Sequence, residues 1–177
     1  MIKVKKENDE VLYPTEDIVH ISKEDIQHLK TLAIKNPRKR VRLCAHETPN
    51  DSLHEMFIVH MKDCYVTPHK HLGKSESMAV IEGEVDIVLF NEDGSILRIV
   101  EMGDLNSGKL FYQRLSSPVY HTLIIRSEFL VFHEITEGPF LREKTAFAPW
   151  APSENSPNVL QFIQELEMSI DKGNKYE

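Results

Sequence analysis

The sequence predicts an all-β barrel or sandwich with a short helix at each end. Between Arg38 and Ile135, apolar residues recur at every second position in a series of short runs rich in Val, Ile, Phe and Tyr. That is the pattern of half-buried strands. Tight-turn sequences separate the runs, most clearly Asn91-Glu92-Asp93-Gly94, where glycine is placed for positive φ. On either side of this region the apolar period lengthens to that of a helix. Many short strands joined by tight turns indicate a closed or double-layered β architecture.

Taken in order, residues 1–20 show weak periodicity and read as a tail or an edge strand. A helix follows, with Ser22 as N-cap, Asp25 three residues on, and Ile21 positioned to staple against Ile26. Ile26, Leu29 and Leu32 give it one apolar face, and Asn36-Pro37 ends it. Strands are expected at 38–44, 56–61, 64–68, 76–82, 84–90, 95–101, 119–126 and 129–135, with Gly83 separating two of them. A proline-punctuated stretch runs from Gly138 to Pro157. The last helix is expected to start with Ser156 as N-cap and Pro157 at its first position. Its stripe of Val159, Phe162, Ile163, Leu166 and Ile170 suits the outside of the barrel or a partner subunit. The expected organisation is a tail and helix over 1–37, a barrel over 38–137, and a Pro-rich segment with a packing helix over 138–177.

Composition removes several function classes. At 177 residues and 41% hydrophobic, the chain reads as one globular domain. Cys44 and Cys64 are its two cysteines, with no CxxC, which excludes a disulfide scaffold and a cysteine-ligated zinc module. A net charge of −7 argues against nucleic acid as a partner. No apolar run reaches the roughly 18 residues of a membrane span. Met1 to Val11 lacks the apolar core of a secretion signal, so a cytoplasmic protein is expected.

Among nine histidines, His69 and His71 are spaced to project from one face of a strand. Two imidazoles aimed into one cavity are half a metal site. Glu76 shares a face with Met78 and Val80, so an inward carboxylate would lie near them. Buried alone it would be costly, and a divalent cation would remove the cost. His121 alternates with Val119, Leu123 and Ile125 and supplies a fourth group from a distant strand.

With these residues in view, His69-x-His71-x4-Glu76-x6-Gly83 resembles the first cupin motif. Pro118 to His121 resembles a shortened second motif that lacks its usual glycine. Arg38-x-Arg40 with His46, Glu137-Gly138-Pro139-Phe140, and Phe147-Ala148-Pro149-Trp150-Ala151-Pro152 resemble the WbuC-type cupin metalloproteins associated with bacterial O-antigen polysaccharide clusters. The resemblance runs over about residues 22–155. It implies a cupin-type conical β-barrel with His69, His71, Glu76 and His121 as metal ligands. It implies no particular reaction.

Such a ligand set suits one divalent ion of Fe, Mn, Zn, Ni or Co. Arg38, Arg40 and Arg42 alternate on one face, either as a surface for an anionic ligand or as partners of nearby carboxylates. His46, a family-matched position, is the candidate general acid or base; a loop histidine bonded to backbone is the other reading. His133 alternates with Val131 and Ile135 and is expected to point inward behind the site. Tyr112, Tyr120 and Trp150 offer a stacking wall for a sugar or base, or core packing. His54, His60, Cys44 and Cys64 read as structural, and His20 and His28 carry no role. The leading functional expectation is a metal-dependent sugar or nucleotide-sugar isomerase or epimerase in surface-polysaccharide biosynthesis. The alternatives are a non-catalytic small-ligand binder and an Fe(II)-dependent dioxygenase. A homodimer is expected from the apolar outer sheet.

Overall fold

A computed structural model of the chain describes residues 1–172. Two curled sheets face each other across an interior. The first runs in the order β1 (Val4–Lys6), β2 (Val11–Pro14), β3 (Arg40–Cys44), β4 (Leu53–Met61), β11 (Phe129–Glu137), β6 (Glu76–Glu82) and β9 (Tyr112–Leu115). The second runs β12 (Thr145–Phe147), β5 (His69–His71), β10 (Tyr120–Ile125), β7 (Glu84–Phe90) and β8 (Ile96–Gly103). All described pairings are antiparallel except β2 with β3 and one isolated bridge between Met102 and Leu110. This is an all-β architecture, an open barrel with a helix outside each sheet.

The helices explain why both faces of several strands are apolar. Helix α1 (Lys23–Lys35) lays Ile26, Leu29 and Ala33 over Val41, Leu43, Val59 and Val131 on the outside of the larger sheet. Helix α2 (Val159–Asp171) lays Leu166 and Ile170 over Val88, Phe90, Tyr120 and Ile124 on the outside of the smaller one. Between the sheets lies the third cluster, including Met56, Ile58, Met78, Val80, Ile87, Ile125 and Phe132.

The start of α1 follows the sequence reading. The Ser22 hydroxyl accepts from the Asp25 amide, and the Asp25 carboxylate accepts from the backbone N–H of Ser22 and of Ile2. The start of α2 does not. Ser156 and Pro157 form a turn before it, and Asn158 is the N-cap residue. The stretch 64–68 is also not a strand: the ladder begins at His69 and pairs with β10 and β12. Strands β9 and β12 were not expected, and residues 1–14 pair as a hairpin on the sheet edge. The part of the expected 138–177 segment beyond residue 172 lies outside the described residues.

Two glycines are required by geometry. Gly83 turns the chain from the larger sheet into the smaller at φ 92°, and a Cβ there would sit 2.1 Å from the Phe129 carbonyl oxygen. Gly94 closes the β7–β8 hairpin at φ 89°, with the Trp150 ring 2.8 Å from where a Cβ would be.

Candidate metal centre

His69 on β5 lies directly opposite His121 on β10, so both imidazoles enter the interior side by side, and His71 follows two residues along. One nitrogen from each of the three falls within 4.8 Å of the others, a group that could hold a metal ion. Glu76 reaches them from the facing sheet, at the start of β6. Its carboxylate oxygens lie 2.9 Å from His71 Nε2 and 2.8 Å from His121 Nε2. The centre therefore joins the two sheets, three imidazoles from one and a carboxylate from the other.

The outer nitrogens show that these residues fit a cation. His69 Nδ1 lies 2.9 Å from the Thr67 carbonyl oxygen, and His121 Nδ1 lies 3.0 Å from that of Val119. Each Nδ1 donates outward to a carbonyl, which reserves Nε2 for a cation, or for a proton shared with Glu76 at His121. His71 Nδ1 lies 3.4 Å from the Thr145 hydroxyl. A buried carboxylate touching two imidazole nitrogens needs positive charge among them, from protons or from a metal ion. Burial alone would favour neutral Glu76, yet its bonds to His121 and His71 hold it far below the usual carboxylate range. Burial pulls His121 down, but the Glu76 carboxylate outweighs it and the net shift is upward. Burial, with His121 alongside, pushes His69 down to about 3.

The centre opens into a cavity of about 930 Å³ between the sheets. Arg42, His60, Lys74, Gln113 and Glu134 line it together with Met56, Met78 and Phe132. At its mouth Arg38 and Arg40 form a four-membered ion network with Glu10 and Glu154. Arg38 Nη1 lies 3.1 Å and Arg40 Nε 3.0 Å from Glu10, and Arg40 Nη1 lies 3.1 Å from Glu154. Arg38 also pairs with Glu154. These two guanidiniums are thus already engaged by carboxylates. Arg42 makes no ion pair among the described residues, and its Nη1 lies 4.0 Å from the Met56 sulfur.

The remaining site expectations divide. His46 lies at the cavity rim, buried, with Nδ1 against the backbone of Glu55 and its ring stacked on His54 at 4.0 Å. His133 and Tyr120 require correction. His133 is on the outer face of β11, stacked on Phe57 at 4.6 Å and 3.8 Å from Glu55. Tyr120 points away from the cavity into the cluster under α2, near Trp150 and beneath the Lys70 ammonium. Trp150 packs in that same cluster, and Tyr112 is exposed on the edge strand, so the three aromatic residues form no wall at the centre.

Sequence reasoning gave no role to Glu134, which faces the cavity, and His60, read as structural, faces it too. Val131-His133-Ile135 and Phe132-Glu134-Thr136 alternate equally well, and α1 makes the outer set as apolar as the inner. A register shift between Val131 and Phe132 against β6 further disturbs the phase. The available signal was the Phe132-Glu134 pair itself, a charge that needs a cavity. His60 continues the inward series His54, Met56 and Ile58.

Comparisons with known proteins add the following. The family described as a domain of unknown function (DUF6016) matches residues 21–102, which takes in His69, His71 and Glu76 and stops before His121. No curated protein matches the sequence. Among solved structures, protein SO0799 from Shewanella oneidensis is similar with a TM-score of 0.48 at 10% identity, over 75% of this chain and 80% of that one. CapF from Staphylococcus aureus, a capsular polysaccharide assembling protein, is similar with a TM-score of 0.48 at 16% identity, over 60% of this chain and 29% of that one. Oxalate decarboxylase from Bacillus subtilis, studied for its Mn(II) centres, gives 0.44 at 16% identity, over 55% of this chain and 24% of its own. The chain therefore spans less than a third of the last two proteins. Fold and centre together describe an all-β barrel whose three-histidine group could bind a metal ion.

Proposed function

We propose that this protein is a divalent-metal-dependent enzyme acting on a sugar or nucleotide-linked sugar, as an isomerase or epimerase in surface-polysaccharide biosynthesis. The observation that carries the reading is the junction of His69, His71, His121 and Glu76 at the wall of a cavity of about 930 Å³. A volume of that size takes a ligand larger than a simple metabolite. A bound divalent ion would supply Lewis acidity toward a ligand carbonyl or hydroxyl. Arg42, free of carboxylate partners among the described residues, is available for an anionic group such as a diphosphate.

Metal-loaded protein incubated with a panel of nucleotide sugars and followed by NMR tests the proposal. Turnover or binding of at least one member is expected; neither across the panel removes it. Thermal stabilisation by a panel member without product would instead favour a non-catalytic binder, which the prior engagement of Arg38 and Arg40 by Glu10 and Glu154 also favours. The proposal includes a homodimer in the cytoplasm. Exposed Ile81, Leu110, Phe111 and Tyr112 support the pairing, since apolar side chains gathered along one edge suit a partner. No helix among the described residues is long and apolar enough to cross a membrane.

A further inference from the structure

Glu134 stands near the middle of the interior face of the larger sheet. Phe132 and Thr136 lie before and after it on β11, and the register sets Met56 on one side and Met78 on the other, with Gln113 beyond Met78. Thioethers and a phenyl ring offer a carboxylate no donor, and among the described residues nothing hydrogen-bonds to it or pairs with it. A half-buried carboxylate that faces the cavity without a protein partner makes no bond the fold depends on, so its presence calls for a purpose other than holding the fold. It shares its cavity with His69, His71 and His121. The charged and titratable groups that act on it are Glu76, Arg42, His121 and Lys74.

We propose that Glu134 is the catalytic proton-transferring carboxylate for a hydroxy- or oxo-compound held at the three-histidine centre. The inference rests on reading the cavity as a metal-dependent ligand site, and it names the group that would do the proton work there. His46 is worse placed for that work, because its Nδ1 is taken by the Glu55 backbone and its ring is stacked on His54. In the step, a C–H bond beside the ligand carbonyl breaks and the proton goes to a Glu134 oxygen. The electron pair stays on the ligand as an enolate-type anion. Return of the proton to the neighbouring carbon, or to the other face of the same carbon, restores Glu134, and no oxidant or reductant is consumed. Burial, reinforced by the Glu76 charge, raises the Glu134 carboxyl above its ordinary range.

Acetohydroxamate is a probe for this, because it binds divalent metals as its conjugate base and must hand its proton to something. Calorimetry in two buffers of different ionisation enthalpy counts the protons released when it binds the metal-loaded protein. Near about pH 8, wild type is expected to release roughly one proton fewer per bound hydroxamate than Glu134→Gln at equal metal content. Glu134→Ala should repeat the Gln result, and His133→Gln, on the outer face of the same strand, should match wild type. Equal counts in wild type and Glu134→Gln would overturn the role of Glu134 while leaving the ligand site intact. A metal-loaded wild type that binds no hydroxamate would overturn the ligand-site reading itself, and the proposal with it.

Discussion

A proton on His60 would place a cation inside the sandwich, edge-on to Phe132 and near Arg42. Burial, together with the Arg42 charge, pushes its pKa down to about 3 from an ordinary 6.5. The unfolded chain therefore takes up a proton at a pH where the folded chain refuses it. Stability is full above about 6.5 and falls as the pH drops toward 3, by about 1.4 kcal/mol per pH unit from this group. His60→Leu removes that uptake. Urea unfolding between neutral and mildly acid pH should show wild type losing stability relative to His60→Leu; parallel profiles would contradict the assignment. Arg42 gives a second test. With uridine diphosphate as probe, Arg42→Gln should weaken binding about tenfold, the loss of one charge-assisted hydrogen bond. Arg38→Gln should do less, since Arg38 is bound to Glu10 and Glu154. Titration calorimetry reads both, and equal losses would mean that the ion network opens for the ligand.

At the scale of elements, local chemistry was the most legible. The capping box of α1 could be read from Ser22 and Asp25 because it needs only four consecutive residues. Ser22→Ala is expected to cost about 1 kcal/mol in chemical denaturation. The corner at Gly83 was also legible, though as a break between strands and not as a crossing between sheets. Gly83→Ala should cost more than about 2 kcal/mol, because both the positive φ and the contact with the Phe129 carbonyl oppose a Cβ. A loss under 1 kcal/mol would show that the corner relaxes. Elements defined by distant pairing were not legible. Three-residue β5 and β12 exist because they pair with each other and β5 also pairs with β10, and no local period marks them. The expected strand at 64–68 had the right composition but no partner. The inward phase of β11 is not legible because α1 buries the opposite face, so the sequence turns His133 inward where the structure turns it out.

For the whole molecule, the alternating runs and tight turns were enough for two β layers, and the spacing of His69, His71 and Glu76 was enough to place them near one another. What could not be read was that the imidazoles and the carboxylate belong to different sheets, so that the centre ties the two layers together. This follows from the Gly83 corner and the β5–β10 pairing, both of which depend on tertiary contacts. A cation there should also raise the temperature of unfolding, since it binds a site the unfolded chain lacks. The central claim is that four side chains from two facing sheets grip one divalent ion. Elemental analysis of protein purified without added metal tests it, with His69→Ala, His121→Ala and Glu76→Ala beside wild type. The account predicts about one ion per chain in wild type and loss of it in all three variants. A metal content unchanged by these substitutions, with folding intact, would contradict it.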